Sequence, residues 1–370
     1  MTKILFMINY LTEGGPTRVV ENILYTIDRQ KFQPIVLTLL NKNSKKIVEK
    51  LQENDIDVIE MGYNKNLLEL IRNKNNIIKK IIGINPDIVH THGIVPTFIV
   101  ANKNIKAKKI TTIHNNIHED YRYTYGLIKG FILAELHIRI LKKFDETVCC
   151  SKTSYDLIKD KIENISFIRN GIDFQSNKNN VNIQMLKNEL GINENGVIYI
   201  YIGKLNRRKR VLELVKEFND ILEDNEYLLI LGDGQEKNKI EKSILNKNIK
   251  LLGFKKNVND YLAISDVYVS NSSSEGFSIS IIEALSCGLA LMLSDIQSHK
   301  ECFEIDNEYY IGEYFNIKNI GVVKNNIKNN LNKKTQDRIK EFQKKYLSAS
   351  VMTNGYEEKY IKIKETTNKW

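Results

Sequence analysis

Ser270-Asn-Ser-Ser-Ser-Glu-Gly-Phe-Ser-Ile-Ser-Ile-Ile-Glu-Ala-Leu-Ser-Cys-Gly288 changes character twice within nineteen residues. It starts as a polar loop, turns at Gly276, and becomes a short helix carrying Ile279, Ile281, Ile282, Ala284 and Leu285. Gly288 is placed to stop that helix. Upstream, Asp266-Val-Tyr-Val269 alternates like the end of a buried strand. A strand therefore feeds a loop, and the loop feeds a helix N-terminus. Such a junction presents unpaired backbone N–H groups, here near Phe277, Ser278 and Ile279, and the positive end of a helix dipole to an anion. Two carboxylates flank it, Glu275 before the helix and Glu283 inside it, with seven residues between them. A carboxylate beside a phosphate site is unfavourable unless it has another role. Accepting hydrogen bonds from sugar hydroxyls is such a role, since bonds to ionised groups contribute roughly 1.5–3 kcal/mol.

Outward from this stretch, strands and helices alternate. Val197-Ile-Tyr-Ile-Tyr-Ile202 opens a second sheet and runs into Gly203-Lys-Leu-Asn-Arg-Arg-Lys-Arg210. Five cations within seven residues, directly after a strand, suit diphosphate recognition, because open α/β sheets bind ligands at strand C-termini. Tyr227–Leu231, Ile249–Phe254 and Ala290–Ser294 read as further strands, the last being the final clear one. In the first half, residues 3–8, 35–40, 57–61, 87–92, 109–114 and 147–151 read as strands or strand ends. Residues 45–53, 65–83 and 123–143 read as helices, the last a single long one with Leu127, Ile128, Phe131, Ile132, Leu136 and Ile140 on one side. That side either faces the core or docks on an anionic membrane. Asn9 to Gly15 is a loop ending in Gly14-Gly15-Pro16, where paired glycines let the backbone approach a ligand. It is not GxGxxG, so the dinucleotide fingerprint is absent. His90, His92 and His114 stand at strand ends.

The chain has 370 residues, 42% hydrophobic and 27% charged, which suits two globular α/β domains. No apolar run approaches the roughly 18–20 residues that span a bilayer. Four cysteines, Cys149, Cys150, Cys287 and Cys302, form no CxxC pair, so neither a zinc site nor a disulfide framework is expected, and a cytoplasmic location is. The net charge is +10 and uneven: residues 1–175 hold 26 Lys+Arg against 19 Asp+Glu. A basic first half suits an anionic membrane surface or substrate. No nucleic-acid-binding module can be read, so nucleic acid is not expected as a partner.

Glu275-Gly-Phe-Ser278, followed after four residues by Glu283-Ala-Leu-Ser-Cys-Gly288, resembles the signature of retaining glycosyltransferases of family four, which have the GT-B fold. Gly203-Lys-Leu, three residues, Lys209-Arg210 resembles a second motif of that family, with Lys204 where arginine is usual and Arg210 replacing a glycine. The resemblance spans nearly the whole chain and is strongest over 197–295. It implies two doubly wound Rossmann-like α/β domains facing across a cleft: residues 1–173 on the acceptor side, 174–339 binding the nucleotide sugar, and 340–370 returning to the first domain. It implies a sugar moved from a nucleoside-diphosphate sugar, most readily a UDP-sugar, to a glycan or lipid-linked acceptor in surface polysaccharide synthesis, without metal or other cofactor. Lys209 and Lys204 would neutralise the leaving diphosphate, Glu275 would hold the donor sugar, Glu283 the ribose, and Phe254 the base. Gly14 and Gly15 would contact the donor from the first domain, where His114 would join Lys209 and Glu275 as a catalytic residue, and Gly203, Gly276, Phe277, Ser278 and Ile279 would bind the donor from the second. Asp55-Ile-Asp57 matches a metal-binding Asp-x-Asp only superficially, and its place between a helix and a strand reads as a turn. A nucleotide-sugar 2-epimerase and a non-catalytic accessory protein of the same fold remain open alternatives. Attachment to the inner face of the cell membrane is a further expectation.

Overall fold

A computed structural model describes residues 1–64, 67–173 and 183–366. The chain forms two compact units, Met1–Ile172 with Ala349–Trp370, and Asp173–Ser348. The first unit is built on seven strands: β1 (Thr2–Ile8), β2 (Phe32–Leu40), β3 (Asp57–Tyr63), β4 (Ile88–His92), β5 (Lys108–Ile113), β6 (Glu146–Cys149) and β7 (Ile165–Phe167). They lie in the order β3-β2-β1-β4-β5-β6-β7, all parallel. The second unit holds β8 (Val197–Ile202), β9 (Glu226–Leu231), β10 (Ile249–Gly253), β11 (Val267–Ser270), β12 (Ala290–Ser294) and β13 (Gly312–Phe315). Their order is β10-β9-β8-β11-β12-β13, again parallel. Both sheets are doubly wound, and in each the strand order reverses once, between β1 and β4 and between β8 and β11. That reversal opens a crevice at the strand C-termini where ligands bind.

The central strands are apolar runs because helices cover both faces of the sheet. Ile4 to Met7 and Ile198 to Tyr201 are almost fully buried. The helix Ala349–Glu365 belongs to the first unit, whereas Lys333–Tyr346 stays in the second. Buried tyrosines tie Ala349–Glu365 to the first sheet: the Tyr360 hydroxyl meets His90 Nδ1 at 2.7 Å and the Tyr356 hydroxyl meets Thr112 Oγ1 at 2.9 Å.

Several elements differ from the sequence expectation. The helix expected over 123–143 is two, Ile117–Tyr125 and Leu127–Leu141, parted by Gly126 at φ +82°. The side of the second helix that faces the core is Gly130, Ala134, His137, Ile138 and Leu141. Leu127, Ile128, Phe131, Ile132 and Leu136 are exposed instead. A helix apolar on all sides gives no periodic signal for which side is buried. The segment 65–83 contains Leu67–Arg72 and Lys74–Ile84 with a break at Asn73, and residues 65 and 66 lie outside the described residues. β13 follows the strand expected to be last. It is short and partly exposed, and its Gly312, at φ +129°, lies so close to β12 that a Cβ there would come within 2.0 Å of the Leu291 carbonyl oxygen. Asp55, at φ +54°, forms the turn into β3.

Candidate active site

The signature stretch folds as its residues suggest. β11 ends at Ser270, the loop runs through Ser278, and the helix Ile279–Cys287 follows. Gly288, at φ +82°, closes the helix by donating its N–H to the carbonyls of Ala284 and Leu285. The loop after β8 stands across the switch point. It ends in a single 3₁₀ turn, Arg207–Lys209, capped by the Asn206 side-chain oxygen accepting from Lys209 N. Two glycines after β9 let the neighbouring backbone approach: a Cβ on Gly232, at φ +150°, would lie 1.8 Å from the Gly203 carbonyl oxygen, and one on Gly234 2.3 Å from that of Leu205.

Backbone bonds sew the two switch-point loops together. Ser273 N donates to the Arg208 carbonyl at 2.8 Å and its hydroxyl does so at 3.0 Å. Arg208 Nη1 returns a bond to the Ser274 carbonyl at 2.8 Å, and Asn271 Nδ2 donates to the Arg210 carbonyl at 3.2 Å. Charge is then focused on one carboxylate. Glu275 is buried and accepts from Lys209 Nζ and from the Ser272 hydroxyl, the latter at 2.6 Å. Arg208 Nη1 lies 3.5 Å from its other oxygen. Burial by itself would push the Glu275 carboxyl up. Lys209 and Arg208, with the two hydrogen bonds, more than offset this and bring it down to about 2. Glu275 is therefore an anion at every physiological pH, and in this state it is the counterion of Lys209.

Behind it stands a histidine that the sequence reading did not single out. His299 is buried, and its Nδ1–H donates to the Ser294 carbonyl at 3.0 Å. The Ser294 hydroxyl, also 3.0 Å from that nitrogen, donates to the Ser272 carbonyl at 2.7 Å. Since a carbonyl only accepts, Nδ1 carries the proton and Nε2 keeps its lone pair. Burial lowers the His299 pKa to about 4 against the opposing pull of nearby Glu275. The chain Glu275, Ser272, Ser294, His299 thus fixes the carboxylate from the rear. The signal was present, since His299 follows the end of β12 at the same edge of the sheet. Arg208 was also passed over, because it is one of five cations within seven residues and only the fold shows which of them turn inward.

The remaining candidates of this unit divide. Gly276 and Phe277 are buried, and Ser278 and Ile279 are half-buried at the helix start. Glu283 is buried one turn into the helix. Lys204 is exposed, while Lys209 is half-buried against Glu275, and Gly203 is half-buried beneath the Tyr201 ring. Phe254 is exposed beyond β10.

In the first unit the C-terminal ends of β1, β4 and β5 carry a second cluster. His92 Nδ1 and His114 Nε2 are 3.0 Å apart. Burial lowers His114 to about 4 and His92 well below its ordinary value, so both are neutral at pH 7. One proton is shared between the facing nitrogens. His92 Nε2 is buried without a hydrogen-bond partner among the described residues. A bare lone pair there costs less than an orphaned N–H, so His92 Nδ1 is the donor and His114 carries its own proton on Nδ1. Gly14 is exposed and extended, with open space where a Cβ would stand, and Gly15 begins the next helix.

Residues 182–346 match the family model described as glycosyl transferases group 1, and residues 13–176 match that of glycosyltransferase family 4. The chain belongs to these glycosyltransferases. Among curated relatives of this glycosyltransferase is the O-antigen biosynthesis glycosyltransferase WclY of Escherichia coli, 28% identical over 318 residues and 82% of each chain. Another is the Escherichia coli UDP-Gal:alpha-D-GlcNAc-diphosphoundecaprenol alpha-1,3-galactosyltransferase, 27% identical over 60% of this chain and 61% of the relative. Among solved structures, Anabaena Alr3699/HepE in complex with UDP superposes with a TM-score of 0.76 at 15% identity, over 98% of this chain and all of that one. The doubly wound fold of both units is thus that of the GT-B glycosyltransferases.

Proposed function

We propose that this glycosyltransferase moves a sugar from a UDP-sugar to a glycan or lipid-linked glycan acceptor in surface polysaccharide synthesis, with retention of anomeric configuration. The observation that carries the reading is the buried Glu275 held between Lys209 and Arg208 at the switch point of the second sheet. A diphosphate entering there meets Lys209, Arg208 and the start of the Ile279–Cys287 helix, which supply positive charge without a metal ion. Glu275 is released from Lys209 to accept from the donor sugar's hydroxyls, and Glu283 accepts from those of the ribose. Phe254 is assigned to the base and Lys204 to an outer charge contact. His114, Gly14 and Gly15 of the first unit are assigned contacts with the same donor on family resemblance. The bond from C1 to the β-phosphate oxygen breaks, the acceptor oxygen bonds to C1 on the same face, and the acceptor's proton passes to the leaving phosphate oxygen. No protein base is needed. The relatives named for O-antigen synthesis and for a diphosphoundecaprenol acceptor support the acceptor class, and the UDP-bound neighbour supports the nucleotide. The excess positive charge of residues 1–175 supports attachment to an anionic membrane surface.

The test is a panel of nucleotide sugars scored first for donor hydrolysis and then for transfer. Proton NMR of the first-formed product should show an α linkage from an α-linked donor, and EDTA should leave the rate unchanged. A β product would overturn the mechanism. Loss of activity in EDTA, restored by a divalent cation, would transfer to a metal the charge neutralisation proposed for Lys209 and Arg208.

A further inference from the structure

The pair of helices Ile117–Tyr125 and Leu127–Leu141 carries more apolar surface than its unit buries. Its inner side is tightly made. A Cβ on Gly130 would lie 2.7 Å from the Tyr121 carbonyl oxygen, so the helices meet backbone to backbone. The Tyr121 hydroxyl lies 3.1 Å from His137 Nδ1, and His118 Nε2 lies 2.9 Å from Glu135. Ala134, Ile138 and Leu141 complete the packed side. The outer side is left over. Leu127 is 72% exposed, Ile128 79%, Phe131 60%, Ile132 54% and Leu136 46%. Spacings of three and four link Ile128 to Phe131 and Ile132, and Ile132 to Leu136, along one stripe. Tyr123 and Tyr125, also exposed, extend it past the Gly126 turn.

The charges around the stripe decide what covers it. Lys129, Arg139, Lys142 and Lys143 are exposed on or beside it. Among the carboxylates of the same helices, Glu135 is engaged with His118 and Lys161 and Glu119 with Arg122, while Asp120 is exposed and accepts from Asn115. Four exposed cations against that one remaining carboxylate leave the surface net positive. Long apolar side chains interleaved with lysine and arginine, with tyrosines at one end, match the headgroup and acyl boundary of a bilayer. A protein interface would instead be depleted of lysine at its apolar centre and polar only at its rim. No described helix is long and apolar enough to cross a membrane, so contact is made from one side.

We propose that this stripe inserts into the interface of a membrane containing anionic lipid. The inference deepens the proposed transfer to a lipid-linked acceptor and rests on that reading for its purpose, although its test uses neither donor nor acceptor. Attachment then has two parts, a charge attraction that salt screens and an insertion that salt does not.

The experiment is co-sedimentation of the full chain with phosphatidylcholine vesicles, with and without one quarter phosphatidylglycerol, at low and high salt. The unaltered chain should prefer the anionic vesicles and keep part of its binding at high salt. The double variant Ile128→Ser, Phe131→Ser should bind about tenfold less or weaker at high salt, with its circular dichroism and donor hydrolysis unchanged. As a second measurement, Phe131→Trp in a chain carrying Trp370→Phe should be quenched by brominated lipid. Equal binding by the unaltered chain and the double variant, abolished together by salt, would leave charge attraction only and overturn insertion. A dimer dispersed by the double substitution, with no lipid binding, would assign the stripe to a second copy of the chain and equally overturn it. Loss of insertion with intact transfer activity leaves the proposed reaction standing. Vesicle binding without transfer activity would sink the reaction and not the surface.

Discussion

Glu275→Gln isolates the charge on which the second unit's switch point is built. Glutamine keeps the shape of the side chain and stands in for the protonated acid. Its cost at neutral pH is therefore the stabilisation linked to the low pKa of the native carboxylate. The ordinary value is 4.5 and the native one about 2, a difference of about 2.5. At 1.36 kcal/mol for each, this amounts to roughly 3 kcal/mol. A depressed carboxylate contributes its stability above the unfolded value and loses it as pH falls through the native one. The gap between the two proteins should thus be full and flat from pH 8 to 5 and begin to close only below about 4.5. For a unit of this size, 3 kcal/mol moves Tm by roughly 6–12 °C. Urea denaturation of both proteins across pH 5–8 reads the gap directly. UDP binding adds a second arm. Lys209 and Arg208 lose their internal counterion in the variant, so calorimetry should show UDP bound at least as tightly as before while transfer is abolished. A gap below about 1 kcal/mol, or one that shrinks steadily between pH 8 and 6, would refute the picture of a buried carboxylate held ionised by its two cations. Weaker UDP binding in the variant would place Glu275 on the nucleotide rather than the sugar.

Other outcomes follow from the same geometry. Lys209→Ala should cut turnover by about a hundredfold or more and weaken UDP, whereas Lys204→Ala, removing an exposed cation, should cost less than about tenfold; steady-state kinetics separates them. Gly232→Ala should destabilise the second unit by about 3 kcal/mol or more, seen in urea denaturation, because its Cβ has no room beside the Gly203 carbonyl. His92→Phe should free the tautomer of His114, read from the imidazole nitrogen shifts, whereas His92→Asn, which still offers a donor, should preserve it. The first unit holds four histidines whose pKa values burial lowers: His90 to about 3, His92 well below its ordinary value, and His114 and His137 to about 4. The unfolded chain takes up their protons first as pH falls from 6.5 to 4, so stability falls in that window, by at most roughly 5 kcal/mol per pH step. Limited proteolysis should find the first unit opening at a higher pH than the second, which has one such group in His299.

The amino-acid order alone determined most of the architecture. Parallel strands buried on both faces read as unbroken apolar runs, as in Ile198–Tyr201, and Gly288 stops its helix by a local conformation that needs no distant partner. The loop–helix junction at Gly276–Ile279 was legible for the same reason. Other features depend on what meets what across the fold. The Leu127–Leu141 helix carries apolar residues on every side, so only packing against Tyr121 and the sheet chose Ala134 and Ile138 as its inner face and left Ile128 and Phe131 outside. β13 is too short and too exposed to announce itself, and it exists because the edge of β12 offers it a partner. Lys209 and Glu275 are 66 residues apart, and only the switch point between β8 and β11 joins them. The same crossing turned Arg208 inward, left Lys204 in solvent, and brought His299 behind the carboxylate. Charge pairing over such separations is set by sheet order, and sheet order is a property of the folded chain.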